Sequence, residues 1–233
     1  HAQALANIVQ ANLEAMALIR TDRSGWWVGS EGFDIPVAMN DSPEAAADVD
    51  RIRTLGWLVW DLHFGHEPAV DGYFDGLDTA QLARIRSLAQ HDRLVAGLDI
   101  YPISVMPVGG DRPAWTPREL ISLAMAEIER WHDRYEQPFW IAETSNLTLP
   151  LDQQVSWLNE FSAGLARLRV DGRPARGLCW YSRGDQFDWQ TALTEPTGAV
   201  TEVGLYDTER RARPVAARFK ELADGGAPQP QFN

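Results

Sequence analysis

The chain has 233 residues, of which 45% are hydrophobic, 10% aromatic and 23% charged, and this composition predicts a sizeable core and excludes an intrinsically disordered chain. The formal net charge of -12 repels phosphate groups, so neither nucleic acid nor an anionic membrane is an expected partner. No apolar run approaches the roughly 18 residues that a membrane span needs.

The predicted elements alternate in type along the chain. Apolar residues at helical spacing predict a first helix over 1–20. Capping residues, early prolines and acidic first turns predict the later helices, at 41–64, 78–90, 116–135, 152–170 and 213–222. Short apolar segments predict the strands, at 26–29, 94–101, 138–142 and 177–181. Polar, Gly-rich or Pro-rich segments predict the connections, at 22–25, 30–34, 65–78 and 106–117.

This order, one helix followed by four strand–helix units, indicates an α/β fold with a parallel sheet. The first predicted strand is not followed by a Gly-rich phosphate turn, which disfavours a dinucleotide-binding fold. We therefore expect one structural domain over 1–222 and a polar tail over 223–233.

Polar side chains follow each predicted strand. They are Ser30 and Glu31, then Asp99 and Tyr101, then Glu143, Ser145 and Asn146, and finally Tyr181, Ser182, Arg183, Asp185, Gln186, Asp188 and Trp189. Functional residues of parallel barrels lie at the carboxyl ends of the strands. Glycosidic chemistry needs a carboxylate near an oxocarbenium-like transition state, and indoles such as those of the ten tryptophans can stack on sugars. A structural hydrogen bond is the alternative for any one residue, but their coincidence at four strand ends favours a glycosidase.

Other chemistries have weaker support. His63 and His66, with Asp61 and Glu67 nearby, have the spacing of a zinc pair, but no third ligand follows, so no metal site is predicted. A serine nucleophile is disfavoured because the chain has no Gly-x-Ser-x-Gly motif. The single cysteine, Cys179, lies in an apolar strand and is expected to be a buried structural thiol.

Several motifs resemble those of family 1 glycoside hydrolases, the β-glucosidase-like enzymes. Segment 141–145, Ile-Ala-Glu-Thr-Ser, resembles the family's Ile-Thr-Glu-Asn-Gly block, whose Glu is the nucleophile. Segment 177–189 matches in length the block that ends Trp-Ser-Leu-Leu-Asp-Asn-Phe-Glu-Trp, and 97–101 resembles Gly-Val-Asn-Tyr-Tyr. Segments 203–207 and 213–214 resemble the family's closing segment. The motif order agrees along nearly the whole chain, and the Glu-Thr-Ser sequence is most similar to a divergent bacterial branch of the family.

The resemblance implies a fold, a reaction and a set of residues. The fold is a (β/α)8 TIM barrel, to which this chain contributes the last four strand–helix units. The reaction is retaining hydrolysis of a β-glycoside without a cofactor, with Glu143 as the nucleophile and Tyr101 orienting it. The expected substrate-binding residues are Asp99, Tyr181, Asp185, Asp188, Trp189 and Glu31.

Some of these positions depart from the family. Asp188 replaces a longer Glu that binds sugar hydroxyls, and Tyr181 replaces a Trp that floors the sugar subsite, so the sugar preference stays open. Asp99 replaces an Asn. Glu31 has no counterpart among the usual catalytic residues, and either a contact to an unusual sugar or a loop salt bridge would explain it.

The acid/base Glu of the family precedes the helix that begins this chain, so the resemblance implies that the proton donor lies on an amino-terminal half. The start at His1 favours a carboxyl-terminal part of a longer enzyme. A separate amino-terminal chain, a homo-oligomer or a non-catalytic carbohydrate-binding half-barrel are the alternatives. We expect the isolated chain to have little or no activity and a cytoplasmic location.

Overall fold

The computed structural model describes residues 1–22, 26–68, 70–89, 93–191 and 193–225. The chain divides into two units. The first comprises His1–Gly29, Pro36–Ala96 and Pro107–Asp111. The second comprises Ser30–Ile35, Gly97–Met106 and Arg112–Asn233.

Helices and strands alternate along the described residues. The α-helices are α1 (Ala2–Asp22), α2 (Pro43–Phe64), α3 (Thr79–Leu88), α4 (Pro117–Tyr135), α5 (Gln154–Val170) and α6 (Pro214–Ala223). The first strands are β1 (Trp27–Val28), β2 (Glu31–Gly32), β3 (Ile35–Ala38), β4 (Leu94–Asp99) and β5 (Val105–Val108). The later strands are β6 (Phe139–Thr144), β7 (Ala175–Trp180), β8 (Gln186–Phe187) and β9 (Val200–Thr201).

The first unit is mainly helical. Local capping explains where α2 begins and ends, because the Ser42 hydroxyl accepts the amide of Ala45 at 3.1 Å and Gly65 takes a left-handed φ of 71°. Strand β1 runs parallel to the first residues of β4. Helix α1 contributes an apolar stripe to the hydrophobic core of the first unit. Its buried residues are Ala6, Val9, Leu13 and Met16.

The second unit contains a ladder of parallel strands. Strand β2 pairs with β4, β4 neighbours β6, and β6 pairs with β7. Helices α4 and α5 pack closely, because Gly164 of α5 leaves room for Met125 of α4: a Cβ at Gly164 would lie 2.7 Å from the Met125 Sδ. Large buried aromatic side chains form the core, namely Trp131, Phe139, Trp157 and Phe161.

The predicted helices and main strands are present, with bounds shifted by at most two residues. The exceptions are short pairings. The predicted loop at 30–34 contains strand β2, the predicted loop at 106–117 begins inside β5, and β8 and β9 form an antiparallel hairpin. The break predicted at 22–25 and the tail at 223–233 lie largely outside the described residues. Two- to four-residue strands bury too few side chains to leave a hydrophobic pattern in the sequence.

The prediction that Cys179 is buried is wrong. The residue is exposed, although it lies within β7. The prediction assumed that both faces of a parallel strand are covered. On β7 the burial alternates irregularly, and Arg176 is exposed as well. Arg176 and Cys179 are three residues apart and so lie on opposite faces of a regular strand, which means that neither face of β7 is fully covered by the described residues of the second unit.

Candidate active site

Carboxylates from neighbouring strands of the second unit lie at one end of the ladder. Asp99 is the last residue of β4, and Glu143 is the next-to-last residue of β6. Glu31 begins β2 and is paired with Leu98, immediately before Asp99. The amide of Ile100 donates to the carbonyl of Glu143 at 2.9 Å, which fixes the ends of β4 and β6 side by side. The parallel register thus brings together side chains that are far apart in the sequence.

A short hydrogen bond joins Tyr101 to Glu143. The phenol donates from Oη to Oε2 of Glu143 over 2.7 Å. Burial, this hydrogen bond and the negative charge of Glu143 raise the pKa of Tyr101 well above its ordinary value. The phenol therefore stays protonated across the physiological pH range and remains a donor to the carboxylate. Its backbone is held by a further bond, in which the amide of Tyr101 donates to the Ser104 hydroxyl at 3.1 Å.

Asp99 is held by the hydroxyl of Ser30, which donates to Oδ1 at 2.8 Å. Desolvation and the charge of Glu143 raise the pKa of Asp99, while the bond from Ser30 opposes them. Desolvation also raises the pKa of Glu31, and the charge of Asp99 adds to that effect. Both carboxyl groups thus bind their protons more tightly than in water because they lie close to other carboxylates in a partly buried place.

Aromatic rings border the same place. Trp189 packs edge to face against Tyr101, with ring centroids 5.7 Å apart and an interplanar angle of 84°. It also contacts Tyr181, at 5.2 Å and 66°. The amide of Tyr181 donates to the carbonyl of Thr144 at 2.9 Å, which places this residue beside the end of β6. Tyr101, Tyr181 and Trp189 therefore form an aromatic wall next to Glu143, and aromatic rings of this kind can stack on a sugar ring.

Asp185, also predicted to bind substrate, has two structural partners in the second unit. Its side chain is 2% exposed and forms a salt bridge with Arg213, whose side chain is 10% exposed. The other oxygen, Oδ1, accepts the amide of Gly204 at 3.0 Å. Both oxygens are thus used to tie the segment after β7 to the segment that precedes α6.

Asp188 closes a loop. Its Oδ1 accepts the amide of Thr197 at 3.0 Å and the amide of Ala199 at 3.1 Å. The hydroxyl of Thr197 donates to the same atom, and this bond is the main cause of the lowered pKa of Asp188. The structure does not bring Asp185 or Asp188 into contact with Glu143 among the described residues, and their substrate-binding roles remain predictions.

The sequence reasoning missed Cys179 as a neighbour of these carboxylates. Desolvation, and then the charges of Glu143 and Asp99, raise the pKa of its thiol. A signal was available, because Cys179 and Tyr181 are two residues apart on a strand and so point to the same face. The expectation of a buried thiol hid that signal.

Buried polar side chains lie behind the end of β6, and they too were missed. The indole of Trp157 donates to the hydroxyl of Thr144 at 2.9 Å. The amide of Gln154 donates to Oδ1 of Asn146 at 3.0 Å, and Asn146 donates to the carbonyl of Glu202 at 3.2 Å. These bonds fix the residues that follow Glu143. No local sequence pattern predicts such pairs, because their members come from different elements.

The histidine pair considered for zinc has other contacts. Nδ1 of His63 lies 2.7 Å from the carbonyl of Val59, and Nε2 lies 3.4 Å from the amide nitrogen of Asn12. Burial lowers the pKa of His63. Within the described ranges, no group of three or more His, Cys, Asp or Glu side chains could hold a metal ion. In the same ranges, no helix has both the length and the hydropathy of a membrane span.

Several solved structures that are similar to this chain carry the names β-glucosidase or β-glycosidase. A β-glucosidase from Exiguobacterium marinum matches with a TM-score of 0.74 at 16% identity, over 98% of this chain and 58% of that one. SghA, a virulence factor from Agrobacterium tumefaciens, matches with a TM-score of 0.73 at 19% identity, over 98% and 57%. The β-glycosidase from Thermosphaera aggregans matches with a TM-score of 0.67 at 17% identity, over 96% and 48%.

The chain therefore spans about half the length of the solved structures that it matches. No family model and no curated protein sequence matches it. At these identities the likeness shows the fold, and it confirms the predicted class, an α/β chain of the TIM-barrel type that corresponds to about half of a glycosidase barrel.

Proposed function

We propose that this chain is the carboxyl-terminal half of a retaining β-glycosidase of the family 1 type, with Glu143 as its nucleophile. The hydrogen bond of 2.7 Å between Tyr101 and Glu143 carries the proposal, because it lies at the strand ends of a fold shared with β-glucosidases. A carboxylate held by a phenol that stays protonated is oriented for attack rather than paired with a cation. No ion pair with Glu143 is found among the described residues.

The proposed chemistry has two steps. In the first, Oε1 of Glu143 attacks the anomeric carbon, an ester bond forms, and the bond to the leaving oxygen breaks. The leaving oxygen takes its proton from a carboxylic acid on the segment that completes the barrel. In the second step, water gives its proton to that same residue, now a base, and its oxygen replaces the ester oxygen of Glu143. Tyr101 binds Oε2 throughout, so the attacking atom is the other oxygen.

The sugar would lie against the aromatic wall beside Glu143. Tyr181 and Trp189 offer ring surface for stacking, and Asp99 and Glu31 offer acceptors for sugar hydroxyls. Asp185 and Asp188 would lie further from the sugar than the aromatic wall. Asp185 is occupied by Arg213, whereas the carboxylate of Asp188 is partly exposed and is bonded to its own loop.

A completing segment is part of the proposal. Parallel strands are normally covered on both faces, yet Val28 of β1 is 51% exposed and Cys179 of β7 is exposed. Helix α1 carries further exposed apolar side chains, including Ile8 and Ile19. We propose that an amino-terminal half-barrel, in the same or a separate chain, or else a second copy of this chain, covers these surfaces. The proposed domain extends over residues 1–222.

The test is covalent labelling. The assembled protein is treated with a 2,4-dinitrophenyl 2-deoxy-2-fluoro-β-glycoside, whose leaving group needs no proton, and analysed by intact mass spectrometry and peptide mapping. We expect one adduct, on Glu143, and none in the Glu143→Gln variant. The matched control is Glu202→Gln, a substitution on a side chain that is 55% exposed and pairs with Arg213. An assembled protein that binds β-glycosides without forming an adduct would contradict the proposal and favour a carbohydrate-binding half-barrel.

A further inference from the structure

The indole of Trp189 contacts the ring of the residue that holds the nucleophile. Its edge-to-face contact with Tyr101, at 5.7 Å and 84°, adjoins the bond from Tyr101 to Glu143. We propose that Trp189 is a positioning residue, which fixes the ring of Tyr101 so that its hydroxyl stays on Oε2 of Glu143. This inference rests on the proposed function for its catalytic meaning, but the positioning itself exists without substrate.

The ring of Tyr101 needs such a support. The amide bond to Ser104 holds only its backbone, and the hydroxyl is at the far end of a side chain with two rotatable bonds. A modest rotation of the ring would move the hydroxyl out of the narrow range of distance and angle that a hydrogen bond allows. In the described residues, the aromatic contact of Tyr101 is with Trp189. The edge of one ring against the face of the other restricts that rotation.

Trp189 is itself fixed by bonds within its own loop. It begins a short 3-10 turn, Trp189–Thr191, immediately after Asp188. The amide of Asp188 donates to the carbonyl of Ala199 at 2.8 Å, and the hydroxyl of Thr191 donates to the carbonyl of Asp188 at 2.8 Å. The carboxylate of Asp188 binds Thr197 and Ala199 in addition. These bonds do not involve β6, so the loop provides a support that is independent of the strand that carries Glu143.

The contact with Tyr181 extends this support to a second strand end. Trp189 lies 5.2 Å from the Tyr181 ring, and the amide of Tyr181 is bonded to Thr144, the residue after Glu143. The indole is therefore in contact with one residue that binds the nucleophile and with another that is attached next to it. A residue whose only role was to stack on sugar would have no influence on the phenol of Tyr101 in the absence of sugar. This difference separates the two roles.

The experiment observes Tyr101 directly. The full chain, with any partner that co-purifies, is labelled with [13Cζ]tyrosine on this chain alone, which has five tyrosines. The Tyr101 signal is assigned with Tyr101→Phe, and its titration is followed by NMR in the unliganded protein. We expect the Tyr101 signal of the parent to remain that of a phenol up to the highest pH at which the protein stays folded. In Trp189→Ala the signal should begin to titrate within that range, because the hydroxyl leaves Glu143 and meets water. Trp189→Phe should restore most of the original behaviour.

Controls separate positioning from damage. Trp115→Ala removes an indole that contacts Arg112 instead, and should leave the Tyr101 titration as in the parent. Thr197→Val keeps the indole but removes a bond to Asp188, and should lower the onset by a smaller amount. If Trp189→Ala does not fold, as judged by circular dichroism, Thr197→Val decides. An unchanged Tyr101 signal in folded Trp189→Ala, or in folded Thr197→Val where Trp189→Ala does not fold, would overturn the proposal.

A labelling arm connects the result to catalysis. If the parent forms the adduct on Glu143, Trp189→Ala should slow adduct formation at saturating reagent by about tenfold, whereas loss of a sugar contact alone would weaken reagent binding and leave the saturated rate unchanged. That second pattern, with an unmoved Tyr101 signal, overturns the positioning role. A parent that forms no adduct contradicts the proposed function, and the NMR result still decides on Trp189 by itself.

Discussion

At the strand ends, Asp99 and Glu31 lie among other carboxylates, and desolvation raises the pKa of each. In the loops after β7, Asp188 and Asp207 accept several hydrogen bonds, and their pKa values are lowered, chiefly by the Thr197 hydroxyl and by the backbone amide of Arg211. The same residue type thus occurs in opposite surroundings within one unit. A carboxylate that accepts several hydrogen bonds stabilises its loop. A carboxylate with few hydrogen-bond donors around it stays available for binding or catalysis.

The largest expected effect of a substitution is at Glu143. Replacing it with Gln removes the nucleophile but keeps the shape and an acceptor for Tyr101. We expect turnover of an aryl β-glycoside by the assembled enzyme to fall by on the order of 10⁴-fold or more. Asp207→Asn, in the donor-rich loop, should change turnover little. Equal losses in the two variants, measured as initial rates, would show that the distinction between the regions is wrong.

Substitutions in the loops after β7, where the carboxylates accept several hydrogen bonds, should lower the free energy of unfolding instead. Arg213→Ala leaves the buried carboxylate of Asp185, 2% exposed, without its cation, which costs about 3–5 kcal/mol of unfolding free energy. Arg211 is the control, because its side chain is 70% exposed in its pair with Asp207, and Arg211→Ala should cost at most about 1 kcal/mol. Urea unfolding followed by tryptophan fluorescence measures both. Similar midpoints for the two variants would contradict this assignment.

Opposite pH dependences should sharpen the comparison. The raised pKa of Asp99 means that its ionisation destabilises the fold as pH rises through its ordinary value, so Asp99→Asn should gain stability at pH 7, within about 1 kcal/mol, and gain nothing near pH 3. The lowered pKa of Asp188 has the reverse sign. Its stabilisation is present above its ordinary value and is lost as pH falls through the lowered one, so Asp188→Asn should lose stability at pH 7 and lose less near pH 3. Urea midpoints at both pH values test these signs.

The smallest expected effect concerns the thiol beside the strand-end carboxylates. The charges of Glu143 and Asp99 contribute to the raised pKa of Cys179, so Asp99→Asn should increase the thiolate fraction and speed alkylation by iodoacetamide at pH 7.5 by roughly two- to fivefold. Asp188→Asn should leave the rate unchanged. The rate is read by intact mass. A rate that both substitutions alter equally would mean that Cys179 does not sense the strand-end charges.

The sequence was sufficient for elements whose signals are local. The capping box of α4 is visible at Thr116 and Glu119, and both of its hydrogen bonds are formed. The pairing of Tyr101 with Glu143 followed from a family resemblance, and the two side chains are in contact. The first case is a short motif whose geometry is set by the backbone that contains it. The second joins residues 42 apart in the sequence, and only the family resemblance linked them.

The contacts that could not be predicted join residues that are far apart in the sequence. Ser30 and Asp99 are 69 residues apart, and Asp185 and Arg213 are 28 residues apart. Nothing in either local sequence indicates its partner, because the register of parallel strands and the course of the loops decide both contacts. The prediction that Cys179 is buried was wrong for a related reason. Whether a strand is covered depends on what packs against it and not on its own residues.

The close approach of Gly164 to Met125 has a chemical consequence. The sulfur of Met125, a residue that is 1% exposed, faces Gly164 of α5, where an added methyl group would require the Met125 side chain to shift. Oxidation to the sulfoxide would add an oxygen atom to a sulfur that has no free space towards α5, and would make the side chain polar where it is buried. The folded helix pair thus shields the thioether from peroxide, and we expect sulfoxide to form at Met125 chiefly when α4 and α5 separate.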